Sequence, residues 1–366
     1  MGSETTNPEP INLIIKKMKK VLVQLCLFIA GLTVITSCTK DKAAAPTTPV
    51  NTDITYNAAY VINGGSNSIS VIDLSKNEVT RTLALSNLNF PHHVSLNPLK
   101  TQLAIGVPGI DLSMGHGGQM MGMMGKIVIV DAKTGSQTKA IELPMSNHNA
   151  AFSPDGNEIW TSQMDTMGKV LVYDASTYSQ KTSIEVGKMP AEVTFSKDGM
   201  TAFVANGESN TVTAIKVSDK SILSTISVGM GPVGAWQGAD NKMYVDNEMD
   251  KTISVIDVAT LNVEETVPLG FMPGYAAYNG AKTELWVTDA DNGKVVYFQR
   301  VASKWENKGS IVTGAGAHAI AFSKDGMTAY IANQMAGSVS VIDIMNRSKI
   351  KDIPVGTKPN GIVIKQ

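Results

Sequence analysis

A unit of about forty residues recurs seven times along this chain. A period of that size marks a ring of β-blades, because no single unit can bury its apolar faces without the next. The clearest copies read Ala59-Tyr60-Val61-Ile62-Asn63 then Ile69-Ser70-Val71-Ile72-Asp73, Ala202-Phe203-Val204-Ala205-Asn206 then Val212-Thr213-Ala214-Ile215, and Ala329-Tyr330-Ile331-Ala332-Asn333 then Val339-Ser340-Val341-Ile342-Asp343. Three divergent copies are marked by Asp131, Asp174 and Asp257, and a weaker one by Tyr297-Phe298. The expected fold is all-β, a seven-bladed β-propeller, with no helical periodicity beyond the N-terminal leader.

Each unit holds four short strands. In the fourth, Glu192 to Ser196 reads as the first strand, Lys197-Asp198-Gly199 as a turn, and 202–205, 212–217 and 222–228 as the next three. Turns carry Asp-Gly, Pro and Asn, which supply the backbone angles a hairpin needs. Cores such as Ile127-Val128-Ile129-Val130 are apolar on both faces, as expected of a blade wedged between two others. The first unit starts at its second strand, near Tyr56, and the chain ends on Lys358-Pro359-Asn360-Gly361-Ile362-Val363-Ile364, which matches a first strand and nothing more. The C-terminus is therefore expected to complete the blade that the N-terminus begins and to remove open sheet edges. This places the propeller at 56–366.

The segment before it reads as an export signal. Lys16-Lys17-Met18-Lys19-Lys20 is a basic stretch, Val21 to Ile35 an apolar run too short to span a bilayer comfortably, and Ile35-Thr36-Ser37-Cys38 has the form of a lipobox. Residues 1–37 are expected to be a lipoprotein signal peptide, with 1–17 an upstream start and Met18 the natural initiator. Cys38 is then the lipidated first residue, and 38–55, rich in Ala, Pro and Thr, a flexible tether. These features predict a monomer in the cell envelope, attached to the membrane through its lipid. An ordinary cleaved secretory peptide is the alternative. Cys26 leaves with the leader and Cys38 is acylated, so no thiol remains for disulfide, redox or zinc-thiolate chemistry. Loss of the leader's four Lys and two acids takes the net charge from −1 to −3, and no Lys/Arg stripe is visible, so nucleic acid is not expected as a partner.

Over residues 56–366 the units resemble the YVTN-type seven-bladed propeller family, which includes the YncE-like proteins of the bacterial envelope. The resemblance rests on Tyr60-Val61-Ile62-Asn63, Ser66-Asn67, Val71-Ile72-Asp73, the turn Ser153-Pro154-Asp155-Gly156, and the Pro before first strands at Pro190 and Pro359. It implies the architecture and leaves the function open, since that wider group spans binding modules, lactone hydrolases and the haem or copper domains of denitrification enzymes. The chain has no G-x-S-x-G elbow, no H-E-x-x-H and no Cys-x-x-Cys. Gly314-Ala315-Gly316 precedes a strand where a dinucleotide loop would precede a helix, and Asp289-Ala290-Asp291-Asn292-Gly293 lacks the bidentate Glu of a calcium loop.

Histidine placement carries the functional signal. Aligned first strands begin Pro91-His92, Asn147-His148, Pro190-Ala191, Pro232-Val233, Pro273-Gly274, Ala317-His318 and Pro359-Asn360, so three of the five histidines share one register. That register lines the axial channel, and these residues are expected at its mouth, with His93 adding a fourth imidazole. A second anomaly is the insertion 113–125, which carries Met114, His116, Met120, Met121, Met123 and Met124 among glycines. Loops joining strands two and three share a face with those entering strand one. Adding Met164, Met167, Met249 and Met335, then Met145, Met189, Met230 and Met272, puts 13 of the 19 methionines on that face. Gly-rich loops have little core for methionine to fill. Thioether sulfur suits Cu(I) and imidazole suits both copper states, so the face is expected to bind copper, or another soft or borderline metal, for capture, buffering or handover to a metal-transfer partner. Two alternatives are a metal-dependent enzyme using an open His₃ mouth, and a metal-free sticky face for an envelope protein partner. Turnover is not the primary expectation. His92-His93 with His148 and His318 also resembles a reduced version of the histidine-ringed propeller face of nitrous oxide reductase, which holds a copper cluster. The resemblance covers four histidines and no C-terminal copper-carrying domain, so that reductase activity is not implied.

Overall fold

The computed structural model describes residues 52–114 and 123–366. The leader, Cys38 and most of the tether lie outside the described residues, as do His116, Met120 and Met121, and the side chain of Met114. The described strands form seven four-stranded antiparallel sheets, all following chain order except for the closure. The fourth blade shows the pattern, with Pro190–Phe195 innermost, then Thr201–Asn206, Thr211–Lys216 and Ile222–Ser227. Its first strand thus starts two residues earlier than the sequence suggests. A 3₁₀ turn at Leu112–Met114 is the one helical element among the described residues. The first blade is completed by Pro359–Lys365 pairing antiparallel with Ala58–Asn63, as the terminal residues predict.

Alternation within each strand explains how the blades stack. Tyr60 and Val71 of the first blade pack with Leu103 and Val128 of the second. Their neighbours Val61 and Ile72 turn the other way and meet Tyr330 and Val341 of the seventh. Every residue of the second strand Ala58–Asn63 is therefore buried. The outermost strand Glu78–Ala84 alternates exposed residues with half-buried ones and the buried Leu83, because only one sheet neighbour covers it. Each buried Val, Ile or Leu side chain contributes roughly 1.5–3 kcal/mol on this scale.

The repeat's polar marks also have assignable work. Asn63, Asn206, Asn247 and Asn333 end second strands, and each donates from Nδ2 to two hydroxyls on the adjacent third strand, as Asn247 does to Thr252 at 3.0 Å and Ser254 at 2.9 Å. Asp73, Asp131, Asp174, Asp257 and Asp343 end third strands and accept backbone N–H bonds from the turn that follows. Their carboxyl pKa values are lowered, chiefly by side-chain bonds from Ser75, Ser176 and Lys242 at Asp73, Asp174 and Asp257, and by the backbone bonds at Asp131 and Asp343.

A local irregularity positions the candidate site. In the blades opened by Pro190, Pro232, Pro273 and Ala317, the first strand slips register just after that opening residue. In the second blade the slip resolves as two residues facing one: His92 N–H donates to Gly106 O at 2.8 Å, and Gly106 N–H donates to His93 O at 3.0 Å. That is a β-bulge. Consecutive residues of a regular strand point to opposite faces, whereas the bulge turns His92 and His93 to the same channel. Gly106 leaves the needed room, since a Cβ there would lie 2.6 Å from Asn149 Cα and 2.8 Å from His148 O.

Candidate metal centre

His92, His93 and His148 meet at the ring's axis with candidate ligand nitrogens all within 4.8 Å of one another. To share one ion, each of the three nitrogens would have to stand at the ~2 Å distance of a metal–imidazole bond. The ring centroids of His92 and His148 are 4.5 Å apart, and those of His93 and His148 4.9 Å. His318 stands at the edge, its ring 5.4 Å from His93 and 5.8 Å from His92. Its Nδ1 bonds Asn360 O at 3.1 Å, which turns Nε2 away from that carbonyl.

The fourth blade supplies the feature that organises the cluster. Glu192 occupies the bulge position equivalent to His93 and is fully buried. Its Oε1 bonds Nδ1 of His93 and, at 2.5 Å, Nδ1 of His148. Burial alone would raise this carboxyl, but the two imidazoles outweigh it through charge and hydrogen bonds and hold it down at about 2. A carboxylate only accepts, so both Nδ1 atoms carry the proton. Nε2 is then the nitrogen each ring offers a cation, once any proton on it is displaced. For His93 that Nε2 is buried without a hydrogen-bond partner among the described residues. Carboxylate–histidine pairs of this kind fix the tautomer and orientation of metal ligands and raise their basicity.

The same register on the other side of the channel is aromatic. The fifth blade has Gly234 at the bulge, and the Trp236 indole folds over it so closely that a Cβ would fall 2.3 Å from the ring. Asp246 Oδ1 pins that arrangement, accepting from Gly234 N–H at 2.8 Å and from Trp236 Nε1 at 2.9 Å. Burial pushes the Asp246 carboxyl well above the carboxylate range, with Glu248 adding to it. Tyr275 packs against Trp236 with ring centroids 3.9 Å apart and planes tilted by 35°, and its phenol is pushed up by burial and by Glu192 and Asp246.

The structure corrects the expected position of the histidines. His92 is 2% exposed and His148 0%, so they do not sit at an open mouth on the methionine side. Bonds between blades cover them there: Gln334 Nε2 donates to Asn360 Oδ1 at 2.7 Å, and Asn360 Nδ2 to Pro91 O. A cavity of about 510 Å³ instead has His93, Glu192, Trp236 and Tyr275 in its wall, and runs to Pro98, Pro154 and Lys197 in the first-to-second-strand turns of the opposite face. Met123 and Met124 are exposed and line a separate depression with Asn87 and Lys126, so the described part of the insertion does not reach the imidazoles. Glu192, Tyr275 and Trp236 were not singled out from the sequence. The signal lay one or more residues past the histidine register, where the aligned starts read His93, Asn149, Glu192, Gly234, Tyr275, Ala319 and Gly361.

No family model matches the chain, and no curated protein matches it. Solved structures do resemble it. The periplasmic gluconolactonase of Pseudomonas aeruginosa aligns at 16% identity over 85% of this chain and 99% of its own, with a TM-score of 0.69. A putative 6-phosphogluconolactonase from Bacteroides uniformis aligns at 12% identity over 84% and 99%, TM-score 0.68. The hydrazine synthase of Kuenenia stuttgartiensis aligns at 19% over 75% and 90%, TM-score 0.63. At these identities the likeness is one of fold: the chain is a seven-bladed β-propeller with a candidate triad of histidines buried on its axis.

Proposed function

We propose that this propeller binds one copper ion through His92, His93 and His148, with His318 alongside, and holds it for capture or handover in the cell envelope, where lipid on Cys38 tethers it. The observation that carries the reading is the single carboxylate of Glu192 holding Nδ1 of both His93 and His148. A buried carboxylate needs positive charge close by, and a metal ion held by the same imidazoles would supply it. Nitrogen-only donor sets follow the Irving–Williams order, in which copper binds most tightly of the divalent first-row ions, and imidazole accepts Cu(I) as well. A bound ion would also be balanced by the Glu192 charge.

Elemental analysis of the mature protein isolated from its own envelope is the primary test, and one copper per chain is the expected result. Replacing His92, His93 and His148 together with Ala should abolish tight Cu(II) binding in solution titrations. A triple variant that binds every ion as the parent does would overturn the centre, whereas one zinc per chain would keep the centre and overturn the metal. One observation favours a second reading, a metal-dependent enzyme: the 510 Å³ cavity reaches His93 and would admit a small molecule to the ion. Water exchanging on the bound metal would favour that reading, and a metal without solvent exchange favours carriage.

A further inference from the structure

A second cavity, of about 340 Å³, lies on the loop face and is lined by Met164, Met189 and Met249. Ala191 and Val233 line it too, and they hold in the fourth and fifth blades the register that His92 and His148 hold in the second and third. The pocket thus adjoins the same channel level as the imidazoles while offering sulfur in place of nitrogen. Met164 is buried against Leu112, with Met189 packed beside it. Met249 is mostly exposed and lies across Gly231, where a Cβ would fall 2.8 Å from its Cγ and 3.2 Å from its Sδ.

The backbone of Met189 is set by the turn that enters the first strand. It has φ +49°, a left-handed conformation that costs a side chain and costs glycine nothing. The turn recurs before other first strands, with Gly231 and Gly316 at φ +66° and +70° and with Phe90 and Lys358 at φ +54° and +52°. Two bonds hold Met189 there, from its N–H to Asp165 O at 2.8 Å and from Gly207 N–H to its own O at 3.0 Å. The turn fixes the backbone of Met189, and its thioether side chain lines the pocket. Glu208 and Glu248 also line the pocket, and two carboxylates there attract cations and repel anions.

We propose that Met164, Met189 and Met249 form a separate site for a soft monovalent cation, Cu(I), ligated by three thioether sulfurs. The site does not depend on the histidine centre being filled. Its test uses the full chain with ¹³C-labelled methionine methyls and Ag(I) as a soft, redox-inert stand-in for Cu(I). Single Met→Leu substitutions at 164, 189 and 249 assign the three resonances while conserving volume. The expected result is that these three methyls shift together and saturate near one equivalent, in the parent and equally in the His92→Ala, His93→Ala, His148→Ala variant. Zn(II) should leave them unmoved, and each Leu variant should lose the saturating shift at the two remaining methyls. Ag(I) that moves only other methionines, or a triple Leu variant that binds Ag(I) with the parent's stoichiometry, would overturn the site. Because the histidine variant is read separately, failure of one centre is distinguishable from failure of the other.

Discussion

At the residue scale the candidate site turns on Glu192. Replacing it with Gln keeps the shape and removes the anion that both Nδ1 protons require. Copper affinity should fall by about 10–100-fold, the usual cost of removing an outer-shell partner, as read by competition with a chelator of known affinity. The metal-free protein should also lose on the order of 3 kcal/mol of stability, because a buried charge pair is broken. The sign with pH follows from the lowered carboxyl. A group held below its unfolded value stabilises the fold above that value, 4.5, and the contribution is lost as pH falls toward about 2. The gap in melting temperature between parent and Glu192→Gln should therefore be widest near neutrality and close through that window; a gap that widens on acidification contradicts the assignment. The sequence made His92, His148 and His318 legible because they repeat one register, and it placed His93 beside them. Glu192 was hidden because it has a different residue type one position on, and because a strict alternation would have pointed it away from the histidines. Only the bulge brings the two positions to one side. Trp236 was hidden further, since it reaches the channel by folding over Gly234.

At the scale of the element, the repeat is held by contacts that recur with it. Asn247 is buried, and its two Nδ2 bonds tie the end of the second strand to Thr252 and Ser254. Asn247→Ala removes both donors and leaves a void beside Gly229, whose built Cβ would sit 2.8 Å from the Asn247 side chain. A loss of about 1–3 kcal/mol is expected, measured by denaturant midpoint with an unchanged slope. The Asn and Asp positions are readable in sequence because each satisfies backbone or hydroxyl partners at a fixed offset. The sixth blade was the weakest copy for a related reason. Its third and fourth strands, Lys294–Val301 and Lys304–Val312, run longer and join through Ala302 and Ser303 at positive φ, so no strand-ending Asp is needed there. The position of the loop methionines relative to the histidines was not legible, because burial of the channel top depends on side-chain bonds between different blades.

At the scale of the whole molecule, the ring is closed by one short strand. Pro359–Lys365 forms the inner strand of the first blade and shares that sheet with Ala58–Asn63, about 300 residues away in sequence though adjacent in space. Ile362 packs with Tyr330 and Val341 of the seventh blade, and Gly361 lies against His92 O and His93 Cα at 2.7 and 2.9 Å from a built Cβ. The closing strand is thus also the wall behind the candidate ligands. Deleting residues 358–366 should expose the edge of Ala58–Asn63, lower the melting temperature sharply and promote association through that edge. It should also remove Asn360, which accepts from His318 Nδ1 and caps the channel, so copper affinity should fall with stability. Substituting Gly361→Ala separates the two effects: the strand remains paired, while the added Cβ displaces His92 and His93. That variant should keep a cooperative melt and lose copper affinity, as measured by calorimetry and metal titration on the same preparation. A truncated chain that melts like the parent would break the link between closure and stability, and a Gly361→Ala variant with parental affinity would break the link between closure and the site.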